Sequence, residues 1–74
     1  MLDACILIKT IPTKIVEILE SIKKIKQIEK AYMVSGRWDI VAFVKVNDCR
    51  ELKELTGEIN SLEGVRSTET LAST

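Results

Sequence analysis

The sequence predicts an α+β domain: one antiparallel sheet of four strands, with two helices on one of its faces. Three observations carry this expectation. Four segments alternate apolar and polar residues with the period of a strand, and two others repeat apolar residues with the period of a helix. These segments follow one another as β-α-β-β-α-β, separated by short polar or glycine-containing stretches. Finally, 74 residues with 46% hydrophobic and 30% charged side chains make one small folded domain rather than a disordered chain.

Taken in order, 2–9 reads as the first strand, with Leu2, Ala4, Ile6 and Ile8 on one face. Pro12 punctuates, and Thr13 can cap the helix that follows. In that helix Ile15, Ile18, Leu19, Ile22 and Ile25 form the apolar stripe, opposite Lys14, Glu17, Glu20 and Lys24. Lys23, Lys24 and Lys26 fall in its last turn, where cations suit the negative end of the helix dipole. A second strand spans 28–34, and Ser35-Gly36-Arg37 forms the turn into a third over 38–46. Asp48 is the expected N-cap of the second helix, with Glu51 completing a capping box. Leu52, Leu55, Ile59 and Leu62 form its stripe. Gly57 inside it costs about 1 kcal/mol against alanine, which points to close helix-to-sheet approach or to a weak helix. Gly64 ends the helix as a C′ glycine, and 65–72 is the last strand.

The common solution for this order is the ferredoxin-like split βαβ, whose first and third strands are central. Ile40, Ala42, Val44 and Val46 then face the helices together with Ala4, Ile6 and Ile8. Cys5, Leu7, Val41 and Phe43 fall on the opposite face. An apolar patch on an open sheet marks an interface, so this face is expected to pack against a second copy, as in a dimeric α+β barrel. Oligomerisation also suits a chain too short for a large core.

Composition narrows function. Eleven basic and eleven acidic residues balance, so nothing draws the chain to nucleic acid or to an anionic membrane. No apolar run is long enough to span a bilayer, and MLDACILIKT lacks the charged n-region and long h-region of a signal peptide. A cytoplasmic protein is expected. Cys5 and Cys49 form no CxxC pair, and in a reducing compartment they read as two small buried hydrophobes rather than a disulfide. The absence of histidine removes the commonest general base and metal ligand. There is no nucleophile elbow and no phosphate loop. No enzyme, cofactor or metal is therefore expected.

Two segments place polar residues where the fold does not require them. Val34-Ser35-Gly36-Arg37-Trp38-Asp39 joins the middle strands, and Gly64-Val65-Arg66-Ser67-Thr68-Glu69-Thr70 opens the last one. Thr68 and Thr70 share a face, about 7 Å apart by strand rise. Simpler readings stand beside a binding role. Threonine favours strands, Trp38 can pack, Asp39 can accept backbone hydrogen bonds in the turn, and Arg37 can be solvated.

These two segments, VSGRWDIV and LEGVRSTET, resemble the effector-binding domain of the Lrp/AsnC, or feast/famine, transcriptional regulators. There a V-(S/T)-G-x-aromatic-D turn and a G-V-x-x-T-x-T strand start recur, and a glycine like Gly57 is also found. The resemblance covers essentially the whole chain. What these 74 residues lack is the DNA-binding helix-turn-helix half, so they resemble a stand-alone RAM (regulation of amino acid metabolism) domain spanning 1–74. The resemblance implies a homodimer paired through the sheets, higher rings that are commonly octamers, and an amino-acid effector bound near contacts between dimers. It implies that Gly36, Asp39, Thr68 and Thr70 line the site; Arg37 and Trp38, which stand between Gly36 and Asp39 in the turn, are ligand-binding candidates by position, and Arg37 has no fixed counterpart in the family. Asp39 would hold an ammonium, and hydroxyl and backbone donors a carboxylate. Full-length regulators of the family are expected partners, with no direct contact to nucleic acid. The alternatives are a purely structural assembly domain and a small dimeric α+β-barrel enzyme of the cofactor-free monooxygenase or isomerase type. Such an enzyme needs polar groups in the helix-covered core, where Ile40, Ala42, Val44 and Val46 offer none.

Overall fold

The computed structural model describes residues 1–73. Strands β1 (Leu2–Thr10), β2 (Ile28–Met33), β3 (Ile40–Val46) and β4 (Val65–Ala72) form one antiparallel sheet in the order β2-β3-β1-β4. Helices α1 (Ile15–Lys23) and α2 (Cys49–Asn60) lie on one face, α1 against β2 and α2 against β4. This is the expected ferredoxin-like architecture, with β1 and β3 central.

The core follows from the period-two pattern of the central strands. Ala4, Ile6, Ile8, Ile40, Ala42, Val44 and Val46 are all buried under the helices. Ile18, Leu19 and Ile22 of α1 and Leu52, Leu55 and Ile59 of α2 close it from above. Leu62, Ile15 and Ile25 pack at its margin.

Helix ends depart from expectation in three places. Pro12 starts a 3-10 turn over Pro12–Lys14, so Lys14 rather than Thr13 precedes α1, and no side chain caps it. Lys24 caps α1 at its C-terminus, which leaves Lys26 beyond the helix. Asp48 does cap α2, accepting from Glu51 N–H at 2.9 Å. Glu51 Oε1 accepts from the Asn47 N–H at 2.9 Å and Oε2 from the Gln27 amide at 3.0 Å, so the box also ties α2 to the segment after α1. α2 ends at Asn60 with Ser61 as its C-cap, so Gly64 is not its C′ residue. Gly64 has φ +99°, and a Cβ there would sit 2.7 Å from Lys14 Cβ. It is the point where the loop into β4 crosses the start of α1.

Gly57 also differs from its first reading. A Cβ at this position meets nothing within 4 Å, so no close approach to the sheet requires it.

The opposite face of the sheet presents a continuous apolar band. The register aligns Tyr32, Val41 and Leu7 in one row, and Phe43, Cys5 and Leu71 in the next. Tyr32 and Phe43 meet edge to face, with ring centroids 6.2 Å apart. Cys5 is half-buried, and burial pushes its thiol pKa up. Cys49 is exposed at the start of α2, against the expectation of a buried hydrophobe.

Candidate functional site

The connection between β2 and β3 is a six-residue loop over 34–39, wider than a tight turn. Val34 N–H donates to the Asp39 carbonyl at 2.9 Å and closes it, and Gly36 supplies a positive φ of +122°. Trp38 and Asp39 precede β3 rather than opening it, and Trp38 is half-buried while Gly36 and Arg37 are exposed.

Asp39 is fastened to the end of β1. Its N–H donates to the Ile8 carbonyl at 2.9 Å. Its Oδ2 accepts from the Thr10 N–H at 2.8 Å and approaches the Thr10 hydroxyl at 3.4 Å, with Lys9 Nζ at 3.8 Å. Thr10 is the one polar residue buried with the core among the described residues, and nothing in its sequence context singled it out. The carboxylate thus accepts backbone hydrogen bonding from a strand 29 residues away, not from its own turn. Oδ1 has no protein partner among the described residues.

Thr68 and Thr70 lie on the helix side of β4, opposite Ile8 and Ile6, and both are half-buried. The register shifts where Lys9 pairs with Ser67 but Thr10 with Val65, so Arg66 is the extra residue of a bulge. Within one chain the two candidate segments do not converge. β1 stands between β3 and β4, which places them about 10 Å apart at a strand spacing near 4.8 Å.

Thr70 instead lines an open groove between α2 and β4, of about 620 Å³, with Cys49, Leu52, Lys53, Thr56, Gly57 and Asn60. Thr56 donates to the Leu52 carbonyl at 2.9 Å, and its Oγ1 lies 3.4 Å from that of Thr70. Thr68 donates to Asn60 Oδ1 at 3.3 Å. The signal for this groove was present in the sequence: 49, 53, 56 and 60 recur at helical spacing beside the apolar stripe.

The only clearly displaced carboxyl among the described residues is Glu51, held below its usual range first by the Asn47 N–H and then by the Gln27 amide. Asn47 precedes the cap of α2 and Gln27 lies in the segment after α1, and neither lines the groove described above. Among the described residues no three Cys, Asp or Glu side chains converge as a metal site would need. No helix among them is long and apolar enough to cross a membrane.

Comparison with known proteins adds the following. The family described as the Lrp/AsnC ligand binding domain matches residues 3–74. The solved structure of TTHA0845 from Thermus thermophilus is 36% identical, with a TM-score of 0.96, covering 100% of this chain and 94% of that one. E. coli AsnC superposes with a TM-score of 0.89 at 22% identity, over 97% of this chain and 50% of its own, which speaks to the fold. A proline dehydrogenase transcriptional activator of Rhizobium radiobacter is 35% identical over 51 residues. The match covers 68% of this chain and 33% of that protein, so the chain corresponds to a fraction of the curated relative's length.

Proposed function

The chain belongs to the Lrp/AsnC ligand binding domain family, and from that premise we propose that it is a non-catalytic module that binds an amino-acid effector and self-associates. It works in the cytoplasm, beside full-length regulators of the family whose DNA binding it modulates. Copies pair through the band of Cys5, Leu7, Val41 and Phe43, extended by Tyr32 and Leu71, and dimers assemble into larger rings.

The effector site forms where the 36–39 loop of one copy meets Thr68 and Thr70 of another. One observation carries this reading. The segments that resemble the family's effector motif stay apart within a chain, yet Asp39 Oδ1 has no protein partner among the described residues and the Thr70 hydroxyl has only a long 3.4 Å contact to Thr56. Asp39 takes the ammonium. Gly36 leaves the backbone of the loop open to the ligand, and Arg37 and Trp38 flank it. The helix-covered core argues against the enzyme alternative, since Thr10 is its one polar residue among those described and its N–H and hydroxyl both face Asp39.

Isothermal titration against the twenty amino acids tests the proposal, with Asp39→Asn in parallel. Asparagine keeps an oxygen for the Thr10 N–H but removes the charge. The wild type binds at least one amino acid, and the variant weakens it about tenfold or more, as loss of a charged hydrogen bond does. Absence of binding at millimolar concentration contradicts the proposal, and so does equal binding by the variant.

A further inference from the structure

The open face of the sheet carries charges around its apolar band, and most of them are paired within the chain. Lys9 meets Asp39 at 3.8 Å, and Lys45 meets Asp3 and Glu29 at 3.7 Å each. Two charges are left over. Lys30 of β2 stands opposite Phe43, and Glu69 of β4 stands opposite Leu7, so both point to the open face with the band. Both are exposed, and neither has an ion-pair partner among the described residues.

Inside one chain these two cannot satisfy each other. β2 and β4 are the edges of the sheet with β3 and β1 between them, about 14 Å apart at a strand spacing near 4.8 Å. One row of the face runs Lys30, Phe43, Cys5, Leu71, and the next runs Tyr32, Val41, Leu7, Glu69. The band therefore carries a cation at one corner and an anion at the corner diagonally across. Such a face complements itself in one orientation only. When two copies pack about a two-fold axis, every contact occurs twice, and the direction of the axis decides which edges meet. An axis along the strands lays β2 of one copy over β4 of the other. Lys30 then meets Glu69 at both ends of the interface, and the flexible lysine stem spans the single row between them. An axis across the strands lays each edge over its own counterpart, which sets lysine against lysine and glutamate against glutamate.

We propose that Lys30 and Glu69 orient the pairing of two copies. A second copy is accepted with its β4 edge over the β2 edge of the first, and two Lys30–Glu69 ion pairs hold it there. This rests on the pairing through the open face proposed above, and adds its orientation and the residues that select it. The apolar band supplies attraction without direction. The charges supply the direction, because like charges brought together penalise the other arrangement.

The test is sedimentation equilibrium of the full chain as wild type, Lys30→Glu, Glu69→Lys and the variant with both reversals. Each single reversal sets like charges together twice and weakens self-association about tenfold or more. Reversing both charges restores it. Mixing the two single variants in equal amounts also restores it, since each copy then carries the charges that the other needs. Both positions are exposed, so the variants keep their fold, and circular dichroism checks that they do. Single variants that pair as well as the wild type overturn the inference and leave the pairing itself standing, for an axis across the strands gives that result. Weakening that neither the double reversal nor mixing repairs also overturns it, because the charges then act on each copy alone. A monomeric wild type at micromolar concentration overturns the orientation and the pairing together.

Discussion

The two ends of the helical layer are built in opposite ways, although each is a helix laid on an edge strand. α1 meets β2 through Ile18, Leu19 and Ile22 above Ala31, all buried. α2 sends Leu52, Leu55 and Ile59 into the same core but borders β4 with threonines and an asparagine. Two glycines mark the contrast. Gly64 is fixed by its positive φ and by Lys14 and Ile18 against it, whereas Gly57 faces empty space. The first end is where burial supplies stability. The second end joins helix to strand through long side-chain hydrogen bonds, Thr56 to Thr70 at 3.4 Å and Thr68 to Asn60 at 3.3 Å, which hold it less firmly than buried apolar packing does.

Substitution should separate the two ends, with the largest effect in the apolar one. Ile22→Ala removes a fully buried side chain and is expected to destabilise the fold by about 3 kcal/mol in urea titration. Gly64→Ala should lose about 2 kcal/mol, because alanine must adopt a left-handed φ and its Cβ must displace Lys14 Cβ from 2.7 Å. Thr70→Val, at the polar end, should change stability by less than about 1 kcal/mol, since the bond it removes is long and half-exposed. Gly57→Ala should raise stability by about 0.5–1 kcal/mol. A loss there would mean that something packs on Gly57 and would erase the contrast.

The smallest effect is electrostatic. Glu51 has a carboxyl pKa below its ordinary 4.5, chiefly through the Asn47 N–H. Its charged form is therefore favoured by folding. That contribution is complete above the ordinary value and disappears as pH falls through the lowered one. Glu51→Gln should remove this part of the acid sensitivity below pH 4.5 and flatten the stability profile there, measured by thermal melts across pH.

Most of the fold was legible because strand and helix periods announce themselves. The alternation from Ala4 to Ile8 and from Ile40 to Val46, and the stripes of both helices, map onto the buried core. Element ends were less legible, since they depend on tertiary context. Pro12 begins a 3-10 turn that displaces Thr13 as cap, and Gly64 answers to a crossing with α1 rather than to a helix end. The site was legible as segments and not as geometry. The GRWD and TET motifs could be picked out, but not that Asp39 would be fastened to Thr10 or that β1 would stand between them. Those facts rest on pairing between residues far apart in sequence. Lys53, Thr56 and Asn60 each stand one position beyond the apolar stripe of α2, where a groove wall and a solvated helix face carry the same residue types.

A site between dimers requires the dimers to form first, and the band of Tyr32, Phe43, Leu7, Val41, Cys5 and Leu71 is the surface proposed for that pairing. Sedimentation velocity of the wild type at micromolar concentration, beside Phe43→Lys, addresses this most directly. A dimer or larger assembly for the wild type, and a shift toward monomer for the variant, is the predicted result. A monomeric wild type over that range would contradict the account.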